Sequence, residues 1–304
     1  MNDKVNNFMR KTGFIAIVGL ANAGKSTLLN ALIQQKVSIV SPKPQTTRDS
    51  IMGVWTDDDS QIVFVDTPGF LKSRNALGDY MLKSIDNAVE GVDCVVLVID
   101  GHDGIDEKEM AQIAKYRKQS APIVVAVTKT DITQAEKLMP ELAKLNATEG
   151  IAEVYCVSAK RNRGVSELKQ ALKKYLSGTE MYFEVDDITD KSQRYLVGEI
   201  IREKVLLSCE QEIPHGVGIS LNKMQFENGA WDIDATVLVE KASHKPIVLG
   251  KHGAMIKSIG IHARESIEKL LDAKVFLTLW VKVKEDWRNN PSVLNELGYN
   301  NRKK

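Results

Sequence analysis

Phe14-Ile15-Ala16-Ile17-Val18-Gly19 runs directly into Leu20-Ala21-Asn22-Ala23-Gly24-Lys25-Ser26-Thr27, and the reading of this stretch decides the fold of the first half of the chain. A nearly continuous β-branched run reads as a strand covered on both faces. The Gly-x-x-x-x-Gly-Lys-Ser spacing after it reads as a turn whose backbone N–H groups wrap phosphates. A helix then follows, and its N-terminal donors and dipole favour the same anion. Lys25 is expected to reach the terminal phosphates. Ser26 is expected to offer its hydroxyl to a magnesium ion that keeps several of its waters.

Working outward, apolar runs at 61–66, 94–100, 122–128 and 153–158 alternate with longer amphipathic stretches. That alternation predicts an α/β domain with a mostly parallel sheet and helices on both faces. Three runs end in polar residues: Asp66, Thr128 to Asp131, and Ser158 to Lys160. Ligands of such sheets lie beyond the carboxyl ends of the strands, so these positions should converge. Asp66-Thr67-Pro68-Gly69, some forty residues after the phosphate loop, supplies a carboxylate for the metal's water shell and an N–H to sense the γ-phosphate. Thr128-Lys129-Thr130-Asp131 with Ser158-Ala159-Lys160 reads a base. A carboxylate at Asp131 can accept both N1–H and N2–H₂ of guanine, which makes GTP the ligand. Such a site rejects an analogue lacking those donors by roughly 10⁴-fold. Lys129 is expected along the base plane and the Ala159 N–H at guanine O6.

The formal charge of +1 over 304 residues excludes a uniformly basic nucleic-acid coat. The average hides an asymmetry: residues 179–240 carry five Lys/Arg against thirteen Asp/Glu, and residues 241–304 carry thirteen against six. Three dispersed cysteines argue against a disulfide framework or zinc site and for a reducing compartment. The opening Met1 to Gly13 has no apolar core for export, and no apolar run approaches the length of a bilayer span.

The first domain is expected over residues 1–178, a linker over 179–196, where acidic and polar residues lack periodicity, and a second domain over 197–304. In the second domain the pattern predicts α-β-β-α-α-β. Val248-Leu249-Gly250-Lys251-His252-Gly253-Ala254-Met255-Ile256-Lys257 places a Gly-x-x-Gly turn between two helices, inside the basic segment. Such a turn clamps the backbone of single-stranded nucleotides, with Lys251 and Lys257 adding charge and Ile256 and Ile259 offered to bases. Trp280 and Trp287 are read as packing residues, with base contact by Trp280 an equal alternative.

On these motifs, residues 13–178 resemble the translation-factor-class GTPases of the Era family. The second domain is similar to a type II KH domain, and Leu279 to Arg288 with the following NPSVLNELGY resembles the family's C-terminus. The resemblance implies a GTPase that binds GTP and GDP, holds Mg²⁺, and binds 16S rRNA near its 3′ end during maturation of the 30S subunit. It implies Gln45-Thr46-Thr47-Arg48-Asp49 as the first switch, where Thr47, with Thr46 as the alternative, joins the metal shell. Catalysis would rest on Lys25, Thr47, Asp66 and Gly69. Phe70 stands where many GTPases keep a water-orienting glutamine, so intrinsic hydrolysis should be slow. Thr128 replaces the family's asparagine and is expected to brace the phosphate loop less well. Asn22 is carried as a ligand of K⁺, with loop capping an equal alternative. A monomer in the cytoplasm is implied, with peripheral contact at the inner face of the cell membrane as the alternative role.

Overall fold

The computed structural model describes residues 10–70, 73–209 and 213–299; the N-terminal reading above falls largely on residues 1–9, outside that range. The chain forms two compact units whose boundaries are not contiguous in sequence. One takes the chain through Ser38, then Ser50–Phe70 and Ser84–Asp190; the other takes Ile39–Asp49, the stretch ending at Lys83, and Lys191 onward. This departs from a single division near residue 179, because two segments of the first half find their packing partners in the second unit.

In the first unit, β1 (Lys11–Gly19) leads into α1 (Lys25–Ile33). Next come β2 (Ile51–Thr56), β3 (Ser60–Asp66), and α2 (Ala76–Ala88), whose residues up to Lys83 are grouped with the other unit. The unit continues with β4 (Cys94–Asp100), α3 (Glu107–Tyr116), β5 (Ile123–Thr128), α4 (Ala135–Asn146), β6 (Ile151–Cys156) and α5 (Val165–Leu172). The sheet order is β2-β3-β1-β4-β5-β6, parallel except for β2 against β3. Side chains alternate between the two faces of a strand, and in β1 both faces are apolar. Ile15 and Ile17 pack with Leu28, Leu29 and Leu168 on one side, while Ala16 and Val18 pack with Ile113 and Tyr116 on the other.

Part of the expected linker is bound structure. The Ile188 carbonyl accepts the Val54 N–H at 2.9 Å, and the Asp190 carboxylate accepts the Met52 N–H at 2.9 Å. The Gln61 amide accepts the N–H groups of Tyr182 and Phe183 and donates to the Phe183 carbonyl. Backbone pairing of this kind carries no apolar period, which is why the segment looked featureless. From Gln193 the chain is already helical.

The second unit contains α6 (Gln193–Ser208), β7 (Val217–Glu227), β8 (Ala230–Val239), α7 (His244–Leu249), α8 (Ala254–Leu271), β9 (Lys274–Val283) and α9 (Pro291–Glu296). Its sheet runs β7-β8-β9, antiparallel then parallel. Asn228 and Gly229, both at positive φ, make the tight β7–β8 turn. Val197, Ile201, Ile233, Ala235, Ala263 and Ile267 join α6 and α8 to the sheet. A satellite core gathers Leu77, Met81, Leu238, Trp287, Val293 and Leu294. Trp287 is fully buried, its indole N–H donating to the Gly216 carbonyl at 2.9 Å. Trp280 is 57% exposed and donates to Asp234 at 2.8 Å, so packing is not its role.

The segment 39–49 is fastened within this unit. Val40 N–H donates to the Glu203 carboxylate at 2.9 Å, and Arg202 donates to the Thr46 carbonyl. Arg48, buried, donates to the Val217 carbonyl at 2.6 Å and lies over the Trp287 ring. The Asp49 carboxylate pairs with Lys191 at 3.0 Å and accepts the Tyr80 hydroxyl at 2.6 Å.

Candidate nucleotide site and nucleic-acid interface

At the carboxyl end of β1 the chain turns sharply at Gly19, φ +149°, where an added Cβ would fall 2.3 Å from the Val98 carbonyl oxygen. Only glycine fits that turn. The loop closes into α1 at Gly24, also at positive φ, and Asn22 adopts φ 63°. Lys25 folds back, donating to the carbonyls of Gly19 at 3.1 Å and Leu20 at 2.8 Å. Burial pulls its ammonium down to about 8, opposed by the charge of Asp66.

Asp66, at the end of β3, has no exposed surface. Its Oδ2 accepts the Ser26 hydroxyl at 2.7 Å and the Ser38 hydroxyl at 3.0 Å, while Oδ1 has no hydrogen-bond partner. Burial raises its pKa, against the pull of Lys25 and the two hydroxyls. A buried carboxylate with an open acceptor, beside a serine hydroxyl, is a hard-oxygen set that fits magnesium and its waters. Thr67 turns its hydroxyl inward, to the Ile17 carbonyl at 2.8 Å, and so caps a strand; Pro68 beside it is buried. Gly69 lies so close to the loop that a Cβ would meet Ala21 Cα at 2.7 Å. Phe70 N–H donates to the Gly19 carbonyl at 3.2 Å, and the Lys115 ammonium lies over its ring.

At the base end, the Asp131 carboxylate accepts the Ser158 hydroxyl at 2.7 Å, and this bond holds its pKa below the ordinary carboxylate value. It therefore stays an acceptor. Lys129, at φ 56°, forms an ion pair with Asp100. The sequence reading did not single out Asp100, although it too ends a strand of the sheet. The shorter Thr128 keeps one contact with the phosphate loop: its hydroxyl donates to the Ala23 carbonyl at 2.6 Å and lies 3.1 Å from that of Ile99. Ala159 begins a short 3₁₀ turn that continues through Lys160, with Ser158 as its cap.

The structure thus brings Lys25, Ser26, Asp66, Gly69, Asp131 and Ser158 to one edge of the first sheet. It holds Gln45, Thr46, Thr47, Arg48 and Asp49 in the second unit, with Thr47 buried there.

In the second unit, α7 ends at Gly250, φ 71°, where a Cβ would meet the Met255 N at 2.7 Å. Gly253 also has positive φ; both glycines are half-buried, and Lys251 and His252 between them are exposed. Beside this turn, α8 and the free edge of β9 enclose a groove of about 460 Å³. Ile256, Lys257, Ile261, Arg264 and Phe276 line it. Ile259, offered above to bases, is fully buried in the core beneath and cannot serve. Ile261, Arg264 and Phe276 went unnamed in the sequence reading. Phe276 was detectable, because Val275, Leu277 and Leu279 point inward and a neighbour of opposite parity must point out.

Two family models match: one described as 50S ribosome-binding GTPase over residues 14–129, and one described as KH domain over residues 212–288. The GTPase Era of Clostridium kluyveri (strain ATCC 8527) is 43% identical over 292 residues, spanning 96% of this chain and 100% of that protein. The chain belongs to the Era family of GTPases. The Era protein of Clostridium botulinum (strain Loch Maree) is 41% identical over 296 residues, covering 97% of this chain and 100% of the relative. Among solved structures, a variant of Aquifex aeolicus Era bound to GDP·AlF₄⁻ superposes with a TM-score of 0.91 at 34% identity, covering 95% of this chain and 99% of that one. An Era complex with MgGDPNP and nucleotides 1506–1542 of 16S ribosomal RNA gives the same TM-score, identity and coverage. Era membership makes the chain a GTPase of the phosphate-loop class with a KH domain. Among the described residues no helix is long and apolar enough to cross a membrane, and no cluster of metal-binding side chains of the His/Cys/carboxylate type occurs.

Proposed function

We propose that the chain is a GTP- and Mg²⁺-dependent switch that binds 16S rRNA near its 3′ end and serves maturation of the small ribosomal subunit. The observation that carries the nucleotide half is the convergence of Lys25, Ser26 and Asp66 under a glycine loop, with Asp131 held as an acceptor by Ser158 at the far end. Magnesium, when bound, would offset phosphate charge beside Ser26 and Asp66. Lys25 gives up two carbonyl contacts for phosphate oxygens, and the Gly69 N–H is the donor that distinguishes GTP from GDP. Phe70 has no group to orient a water, which supports slow hydrolysis by the chain alone. A potassium ion beside Asn22 belongs to the same reading, tested by hydrolysis rates in KCl against NaCl for wild type and Asn22→Ala.

The RNA half is supported by the Gly250–Gly253 turn and the groove lined by Ile256, Lys257, Arg264 and Phe276. Coupling between the halves is supported by residues 39–49. The stretch proposed as the nucleotide switch is fastened to α6 and the C-terminal segment of the RNA-binding unit through Arg48, Asp49, Arg202 and Trp287. If GTP acts on this stretch through Thr47, as the resemblance implies, then by linkage GTP and RNA must change each other's affinity by one common factor. The test is RNA affinity with GDP and with a non-hydrolysable GTP analogue. Equal affinities would refute the switch, leaving a GTPase and an RNA-binding module on one chain.

A further inference from the structure

Asp100 stands outside the nucleotide-binding set assigned above, yet it grips Lys129, which belongs to that set. We propose that Asp100 is a positioning residue for guanine recognition: it anchors the ammonium of Lys129, so that the lysine stem is held in one course at the base end of the site.

β4 and β5 run parallel with Asp100 in register beside Thr128, and the Gly101 N–H donates to the Thr128 carbonyl at 3.0 Å. Lys129 therefore leaves the sheet one residue past the rung on which Asp100 stands. It does so at φ 56°, a conformation unfavourable for a residue with a Cβ. The turn is secured from within, because the Lys129 carbonyl accepts the Ile132 N–H at 3.1 Å and the Thr133 hydroxyl at 2.8 Å. With this backbone fixed and the ammonium on the Asp100 carboxylate, both ends of the lysine side chain are held.

The carboxylate is itself set. Its Oδ1 accepts the His102 N–H at 3.0 Å, and its Oδ2 accepts from the Lys129 ammonium. The Asp100 side chain is 9% exposed against 37% for the lysine, so the acid is the fixed partner and the lysine the tethered one. A carboxylate buried to that degree requires a cation, and Lys129 is the cation that pairs with it.

What the tether accomplishes follows from the nature of lysine. Its side chain is among the most mobile, and a ligand that has to order it gives up binding free energy. Asp100 imposes that order from within the fold. The same pairing offsets the ammonium's charge, so that Lys129 offers a base its hydrocarbon stem and not a free cation.

The inference rests on Lys129 lying at the base, and the variants separate the two claims. Affinities of the full chain for GDP and for a non-hydrolysable GTP analogue are measured by titration calorimetry. Lys129→Ala, which removes the stem, should weaken both by roughly tenfold or more; unchanged affinity there takes Lys129 away from the base and the inference with it. Asp100→Asn keeps an oxygen for the His102 N–H and removes the charge that holds the ammonium. It should weaken both nucleotides alike by about fivefold, between the worth of an exposed ion pair and that of a buried charged hydrogen bond. Lys129→Met, with an unbranched stem and no ammonium, should lose the same factor. The deciding readout is the double variant: acting through Lys129, Asp100→Asn should cost about twofold or less in the Lys129→Met background. Mere support of the end of β4 would cost the same factor in both backgrounds. That additivity, or full affinity in Asp100→Asn, overturns the proposal and leaves Lys129 at the base.

Discussion

Replacing Thr128 by valine removes a hydroxyl and keeps the shape of the side chain. The hydroxyl has one proton and two carbonyls within reach, Ala23 at 2.6 Å and Ile99 at 3.1 Å, so the bond to the phosphate loop is the main one. A neutral hydrogen bond contributes about 0.5–1.5 kcal/mol net, and leaving a buried carbonyl unpaired adds to the loss. Thr128 is 2% exposed, so water cannot replace the lost donor. A total of roughly 1–2 kcal/mol in the ordering of the loop corresponds to about a five- to thirtyfold weaker affinity. The loss should be equal for GTP and GDP, because the brace lies under the loop and not at the γ-phosphate. Selectivity for guanine over adenine should not change, since Asp131 and Ser158 are untouched. Titration calorimetry with GDP and a GTP analogue, with ATP and xanthosine nucleotides as competitors, measures all three. A changed base preference, or full affinity in Thr128→Val, would refute the bracing role.

Asp131→Asn should exchange preference from guanine to xanthine nucleotides, as a donor then faces the 2-oxo group; retained GTP preference in competition binding would contradict the assignment. Burial lowers the Lys25 pKa to about 8, whereas phosphates favour its charged form, so nucleotide binding near pH 8 to 9 should take up a proton and affinity should fall as pH rises through that range. For stability the sign is opposite: the unfolded lysine holds its proton up to its ordinary value of 10.5, so this residue's contribution improves as pH rises from about 8 towards 10.5, readable in denaturation midpoints. Replacing Lys251 and His252 together by Asp should abolish binding of a 16S 3′-end oligonucleotide with GTP affinity unchanged. Phe276→Ala should weaken that RNA binding by about 1–3 kcal/mol if a base stacks there, and an unchanged affinity would remove Phe276 from the interface.

What the sequence made legible was what local chemistry enforces. The Gly19 turn, Lys25, Ser26 and Asp66 lie at strand ends whose period is clear, and their convergence follows from the geometry of parallel sheets. The strand β2 was missed because Ile-Met-Gly-Val-Trp-Thr is short and its pairing to β3 is antiparallel, outside the expected βα rhythm. Ser38 and Asp100 were missed because a lone serine or aspartate has no pattern; each acts through a partner 28 or 29 residues away. The destination of residues 39–49 was invisible for the same reason. It depends on Arg202 and Trp287, which sit 156 and 239 positions from Thr46 and Arg48.

The segment 182–190 bears on how the chain can be cut. β2 is an outer strand of the six-stranded sheet, and outer strands present unpaired backbone groups to which other molecules can add. Here Ile188 and Thr189 meet β2 at Val54 and Gly53, and Gln61 holds Tyr182 and Phe183 against β3. A fragment ending near residue 178, the boundary that periodicity alone suggests, would lose this cover and leave a β-branched edge open to self-association. A fragment extended through Asp190 keeps its own seal, and its solubility in the test tube should differ accordingly.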